Sequence, residues 1–252
     1  MLTRKDDPLL RSVCLLALTA SFGVSSAHAN DWTGEGSLSA GLSSGNSQTS
    51  DAGVGFKSNR DGYDWRTALE GKVDYGKTNG IESKNRSYMS AQADRKMPNN
   101  AWSAYGRTSY EQDEIAGLNS RVFLGMGIGY VALDEGPLRW SLESSPGLKM
   151  ESRRVRLPDT THTVVDDDNF AVQAGSRLSL ALNESVKVAN NTNVVYAEES
   201  TQIVNDLSLT AALIENISAR ISFDVRHDTA PLENVEPTDT TTRISLVYGF
   251  GG

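Results

Sequence analysis

The sequence predicts an all-β protein, a transmembrane up-and-down antiparallel β-barrel of about twelve strands. Three observations carry that prediction. Apolar and polar residues alternate with period two over stretches of about thirteen residues, with almost no helical stripe. Short connections alternate with longer ones. Aromatic residues collect near the two ends of the alternating stretches.

The first element is an export signal. Arg4, Lys5 and Arg11 form a basic region diluted by Asp6 and Asp7, and an apolar run from Val13 to Val24 follows. Ala27-His28-Ala29 supplies a small-x-small cleavage site, so residues 1–29 read as a signal peptide cut after Ala29 and residues 30–252 as the barrel domain. The run is too short to span a bilayer unaided. Removing three basic and two acidic residues leaves 21 and 30, a net charge of −9. An acidic chain argues against nucleic acid as a partner. The single cysteine, Cys14, lies inside the signal, so the mature chain has no disulfide, thiolate metal site or cysteine nucleophile.

The strands are expected at roughly 32–43, 47–57, 63–75, 83–96, 101–111, 119–132, 138–151, 168–182, 185–196, 202–213, 217–228 and 238–250. The third is the clearest. Tyr63, Trp65, Thr67, Leu69, Gly71, Val73 and Tyr75 occupy one phase, and Asp64, Arg66, Ala68, Glu70, Lys72 and Asp74 the other. A strand this long, with one apolar and one charged face, separates two different solvents. In the sixth, Val122, Leu124, Met126, Ile128 and Tyr130 oppose Phe123, Gly125, Gly127 and Gly129. In the seventh, Leu138, Trp140 and Leu142 oppose Arg139, Ser141 and Glu143. The eighth sets Phe170, Val172, Ala174, Leu178, Leu180 and Leu182 against Gln173, Gly175, Arg177 and Ser179. The eleventh sets Ile217, Ala219, Ile221, Phe223 and Val225 against Ser218, Arg220, Ser222, Asp224 and Arg226.

Connections near 58–62, 97–100, 133–137, 183–184 and 214–216 are short, whereas 112–118, 152–167 and 229–237 are longer. Short periplasmic turns and longer outer loops are the outer-membrane arrangement, and an even strand count leaves both termini periplasmic. Trp32, Phe56, Tyr63, Trp102, Tyr130, Trp140, Tyr248 and Phe250 are expected at the periplasmic rim, and Tyr75, Tyr110, Phe170 and Tyr196 at the outer one. Pro146 removes a ladder donor inside the seventh strand and predicts a bulge or break. Asn190 and Asn205 fall on the lipid phase, where unpaired amides are costly; a slipped register or a covering partner would account for them.

A set of ordered motifs runs through the chain. Trp32-Thr33-Gly34 opens the first strand and Gly45-Asn46-Ser47-Gln48-Thr49 marks its turn. Gly117-Leu118, Arg121 and Gly125-x-Gly127-x-Gly129-Tyr130 come next. Leu142-Glu143, Gly147, Glu151, Asp239-Thr240, Tyr248 and Phe250 complete the series. By these the chain, over about 31–250, resembles the salt-induced outer-membrane proteins, the YdiY-like barrels of domain of unknown function family 481. The resemblance implies an outer-membrane barrel and carries no established activity. The chain departs from common barrel endings in placing Gly251-Gly252 after Phe250. The implied location is the outer membrane of a Gram-negative bacterium. The implied partners are membrane lipid and lipopolysaccharide, the barrel-assembly machinery during biogenesis, and small ions or solutes.

No cofactor is expected. Gly125-Met126-Gly127-Ile128-Gly129 lies inside one strand with no helix after it, so it reads as small inward residues that leave lumen space for larger neighbours. His162 is expected in the longest loop, and His227 on the outward phase near the outer rim beside Asp228, where it reads as an interfacial histidine. A rim hydrolase using His227 is the less favoured alternative. Asp166-Asp167-Asp168, with Asp159 nearby, reads as a solvated acidic loop, with a divalent cation site as the alternative. The inward phase is the informative feature. It carries Arg66, Arg107, Arg121, Arg139, Arg177, Arg220, Arg226 and Arg243 together with Glu35, Asp64, Glu70, Asp74, Glu143, Glu151, Asp224 and Asp239. Opposite signs in a narrow barrel pair and obstruct water, whereas a single-sign lining would indicate a selective pore. The expected function is therefore a non-enzymatic barrel for envelope integrity or stress response with a largely occluded lumen. A narrow channel for ions or small solutes is the rival.

Overall fold

The computed structural model describes residues 32–44, 49–78, 81–98, 101–156, 162–232 and 235–251. The proposed signal peptide with Ala29, the first turn at 45–48 and Asp159 lie outside them. Twelve strands follow in chain order: β1 (Trp32–Ser44), β2 (Thr49–Asp61), β3 (Trp65–Thr78), β4 (Ile81–Lys96), β5 (Trp102–Asp113), β6 (Leu118–Glu135), β7 (Leu138–Arg156), β8 (His162–Ala181), β9 (Val186–Ala197), β10 (Thr201–Ile214), β11 (Ile217–Asp228) and β12 (Thr238–Phe250). Each pairs antiparallel with its chain neighbours, and β1 pairs with β12 from Gly34↔Phe250 to Ser44↔Thr240, closing the barrel. Closure gives both outer strands a partner, so the ring has no open edge at the membrane level.

The burial pattern is inverted relative to a water-soluble protein. The largest fully buried side chains are Lys149, Gln173, Asp74 and Ser145, while Met126 is 76% and Ile244 66% exposed. A surface studded with Leu38, Val54, Val73, Leu124, Ile221 and Leu246 exceeds any patch a soluble monomer leaves to water. Hydrocarbon is the solvent that suits it, and the fold is a transmembrane barrel.

Aromatic side chains mark the two rims. At the terminal end, Trp102 and Tyr130 face each other across β5 and β6 with ring centroids 4.6 Å apart. Phe56 and Phe250 stack at 6.0 Å. They flank β1, where Gly34 and Gly36 present no side chain between them; a Cβ on Gly34 would sit 2.4 Å from the Phe250 ring. Trp140 donates its indole N–H to Ser176 Oγ at 3.0 Å. Tyr75, Tyr110, Phe170 and Tyr196 are exposed at the distal end.

The structure corrects the third strand. Tyr63 is not its first residue: Gly62 donates to the Trp65 carbonyl and Lys96 to the Asp64 carbonyl, which closes a turn that leaves Tyr63 97% exposed. Asp64 accordingly pairs with Arg95 at the rim (3.2 Å) instead of facing the lumen. Trp65 takes the girdle position, with the Arg95 guanidinium 5.5 Å from its ring. From Trp65 to Tyr75 is roughly 33 Å along the strand at ~3.3 Å per residue, or about 23 Å of height at ~45° tilt, close to the ~25 Å apolar band of such barrels.

The second correction concerns β7 and β8, which run on together from Leu148↔Phe170 to Arg156↔His162. The connection expected at 152–167 shrinks to 157–161, that at 112–118 to 114–117, and only 229–237 keeps its length. Above the apolar band both faces of a strand meet water, so period-two hydrophobicity disappears while the ladder continues.

Pro146 breaks the ladder without shifting it. Pairing of β6 with β7 resumes from Gly125↔Gly147 to Ile128↔Ser144 in the same register, and the bulges fall elsewhere, between Leu118 and Ser120 and between Val131 and Leu133. Pro146 still pairs with Val172 on its β8 side. The register of β9 and β10 is likewise unslipped at Asn190↔Leu207 and Thr192↔Asn205.

Candidate functional site

The lumen is where the chemistry collects. Of the charges assigned to the inward phase from the sequence, Asp64 sits instead at the rim, and the ion pairs of the lumen fall into four groups. Nearest the terminal end, the Arg220 guanidinium on β11 grips Glu35 on β1 through two bonds of 2.7 Å. This bidentate fork is the strongest carboxylate geometry available to arginine. Lys57 and Glu70 sit beside it at 3.6 Å, and Arg66 and Arg139 reach only rim carboxylates, Asp61 at 3.7 Å and Asp134 at 4.0 Å.

A second group centres on Glu143 of β7. Arg107 from β5 and Arg177 from β8 bind its carboxylate at 3.1 Å and 2.9 Å, and Gln92 and Gln173 add amide donors. Gly175 lies across from Glu143, whose Cγ would be 2.6 Å from a Cβ there; the glycine makes room for the carboxylate.

A third group joins Arg243 of β12 to Asp51 (3.8 Å), Asp74 (3.4 Å) and Asp224, with Lys72 at 3.7 Å from Asp224 and Lys84 at 3.1 Å from Asp51. It ties β2, β3, β4, β11 and β12 together. The Arg243 side chain is 5% exposed, so its charge is held by carboxylates rather than water.

The fourth group crosses the barrel. Glu111 of β5 takes Arg86 from β4 at 3.0 Å, Arg121 from β6 at 3.4 Å, and Arg226 from β11. Arg121 also binds Glu151 of β7 and Asp228 of β11, the latter at 3.2 Å. Lys149 stands 3.4 Å from Glu151 and donates to Ser200 Oγ at 2.8 Å, and Arg153 closes onto Glu151. In a ring of twelve strands, β5 and β11 are opposite walls. These pairs therefore span the lumen rather than coat it.

The sequence reading missed the centre of that group. Glu111, Arg86 and Lys149, and Asp51 in the third group, carry no expectation from the sequence, and Asp228 none as a lumen charge, although the phase that selects Arg107 also selects Glu111, and the phase of Arg226 also selects Asp228. A cavity of about 1320 Å³ runs along the lumen past the crossing, lined near the terminal end by Glu35 and Arg220, at the crossing by Glu111, Arg121 and Arg226, and beyond it by Asp113.

The glycine strand packs around Phe123, which is buried in the lumen; Cβ atoms on Gly125 and Gly147 would each fall 2.7 Å from its ring. Among the glycines of this strand Gly127 lies closest to its neighbour, 2.0 Å from the Ser144 carbonyl by the same measure. Asp166, Asp167 and Asp168 belong to β8, not to a loop, and alternation sends Asp167 to the opposite face from the other two. They cannot converge on one ion, and among the described residues no group of three acidic, histidine or cysteine side chains is placed to hold a metal. In the adjoining turn, a hydrogen bond to Asp167 pushes the Glu199 carboxyl above its usual range, and the Asp167 charge adds to the shift. His162 opens β8 instead of lying in a loop. His227 faces outward and its Nδ1 meets Thr238 Oγ1 at 2.8 Å, while Asp228 points into the lumen toward Arg121. The two lie on opposite sides of the wall, so Asp228 does not orient the imidazole.

The family model described as "Protein of unknown function, DUF481" matches residues 36–250. Among solved structures, the NanC porin is similar at a TM-score of 0.54 and 11% identity, covering 84% of this chain and 98% of its own. The translocator domain of the autotransporter NalP from Neisseria meningitidis is similar at a TM-score of 0.53 and 10% identity, covering 87% and 88%. At that identity the likeness is one of fold. No curated protein matches the sequence.

Proposed function

Because the chain belongs to the DUF481 family of proteins of unknown function and closes into a twelve-stranded barrel, we propose that it is a non-enzymatic outer-membrane protein of a Gram-negative bacterium. On this reading its lumen rests in an occluded state and it serves envelope integrity or the stress response. The observation that carries the reading is the transverse network in which β11 reaches Glu111 and Arg121 on the opposite wall. An open pore needs a continuous hydrated path. Here long charged side chains from opposite walls meet across the lumen, and the carboxylates of Glu111, Glu151 and Asp228 hold Arg86, Arg121, Lys149, Arg153 and Arg226. His227 faces outward and hydrogen-bonds Thr238 Oγ1, with Asp228 turned to the other side of the wall, which favours the non-enzymatic reading over a rim hydrolase. The salt-induced setting rests on the family resemblance.

The 1320 Å³ cavity favours a second reading, restricted passage of small ions or solutes once the crossing opens. Planar-bilayer recording of the refolded protein separates the two. The occluded reading expects long closed intervals and small, rare openings at moderate voltage. Steady conductance of open-porin size would overturn it.

A further inference from the structure

The lipid-facing wall carries a polar island. Asn190 on β9 and Asn205 on β10 exchange amide hydrogen bonds in both directions at 3.3 Å. Asn205 Nδ2 also donates to Thr192 Oγ1 at 2.8 Å, and Thr192 Oγ1 donates to Asn190 Oδ1 at 3.4 Å. All three side chains are on the outward phase, the one that carries Tyr196 on β9 and Ile203, Leu207 and Leu209 on β10. Asn190 lies six residues below the rim residue Tyr196, roughly 20 Å along the strand at ~3.3 Å per residue. At ~45° tilt that is about 14 Å of height, near the middle of a ~25 Å band. The island's neighbours on this face are apolar, apart from Ser176 across from Thr192, whose hydroxyl accepts from Trp140.

Lipid tails cannot hydrogen-bond, so the inventory of these amides matters. Asn205 uses both of its N–H groups, on Asn190 and on Thr192. Asn190 uses one of its two. Asn190 Oδ1 accepts twice, and Asn205 Oδ1 accepts once. One donor on Asn190 and one acceptor position on Asn205 are left over within the same patch. A patch with one spare donor and one spare acceptor is complementary to itself: a two-fold axis through it brings each Asn190 N–H to the partner's Asn205 Oδ1, twice. Polar side chains on membrane-spanning segments associate those segments in this way.

We propose that the outward face of β8–β10, centred on Asn190, Thr192 and Asn205, is the contact by which two copies of this chain associate side by side in the membrane. The partner is a second copy because a reciprocal pair satisfies both spare groups on each chain at once, and the flanking Val172, Leu207 and Tyr196 give that contact an apolar rim.

The test uses the full chain in lipid vesicles. Its only native cysteine is Cys14, replaced by Ser throughout. Leu207→Cys places a thiol beside Asn190, and Val54→Cys, 58% exposed on β2, places one four strands away round the ring. Folding of every variant is checked by heat-dependent gel mobility. The proposal expects disulfide-linked dimers from Leu207→Cys and not from Val54→Cys. Adding Asn190→Leu and Asn205→Leu should weaken association roughly tenfold, two bonds at the average strength found between membrane segments. Equal crosslinking at both sites, no crosslinking at Leu207→Cys, or crosslinking indifferent to the double asparagine change would each overturn it. So would capture of Leu207→Cys only by a different membrane protein.

Discussion

Neutralising Glu111 (Glu111→Gln) removes the carboxylate shared by Arg86, Arg121 and Arg226. Arg121 keeps Glu151 and Asp228, but the guanidiniums of Arg86 and Arg226 lose the carboxylate each is paired with here. Breaking a fully buried pair costs about 3–5 kcal/mol because the surviving charge is stranded. The glutamate side chain is 12% exposed and opens toward a hydrated cavity, which lets water solvate part of what is left. Taking about half of the buried figure gives a destabilisation of about 2 kcal/mol. The lumen also gains one positive charge and loses the bond that carries β11 across to β5. Urea unfolding in lipid vesicles reads the first effect, and bilayer conductance with a salt gradient reads the second. The expected result is a lower unfolding midpoint, more frequent openings and a reversal potential displaced toward anion selectivity. Glu70→Gln is the internal control: its partner Lys57 is 3.6 Å away and both side chains are more than a third exposed, so less than about 1 kcal/mol is expected. A Glu111→Gln barrel with native stability, native conductance and native selectivity would refute the crossing as the element that closes the lumen.

Three further outcomes are expected. Mass spectrometry of protein isolated from membranes should find Asn30 as the first residue; an intact 1–29 segment on the mature chain would contradict the export signal read at Ala27-x-Ala29. Unboiled protein should migrate differently from boiled protein on a detergent gel, because a closed ladder has no edge from which to unzip; recovery as a detergent-free soluble monomer would contradict the membrane assignment. Gly127→Ala should cost about 1–3 kcal/mol by forcing β6 and β7 apart at the Ser144 carbonyl. Gly106→Ala meets nothing within 4 Å and should be neutral or stabilise by up to about 1 kcal/mol; equal effects in urea unfolding would show that close approach is not what requires Gly127.

The sequence by itself determined the strand count, the phase of each strand and hence which side chains face lipid. These are one-dimensional properties. A period of two and a band height fixed by the bilayer leave each long alternating stretch a single way to cross, so Leu69, Val73 and Tyr75 could be assigned outward and Arg66, Glu70 and Asp74 inward from the chain alone. Strand ends beyond the band were not legible for the same reason. Once both faces meet water, nothing in Arg153–Arg156 or Asp166–Asp168 distinguishes an extended ladder from a loop, and only the pairing of β7 with β8 shows it. Tyr63 misled in the other direction, because an aromatic continuing the alternation looks like strand until the Gly62–Trp65 hydrogen bond shows the turn. Tertiary structure alone decided which charges meet. Arg226 and Glu111 are 115 residues apart, and Arg220 and Glu35 are 185 apart. They touch because the ring closes at β1 and β12 with a definite stagger between successive strands. Stagger sets which inward residue stands at the same height on the opposite wall, and no local pattern in either strand encodes it.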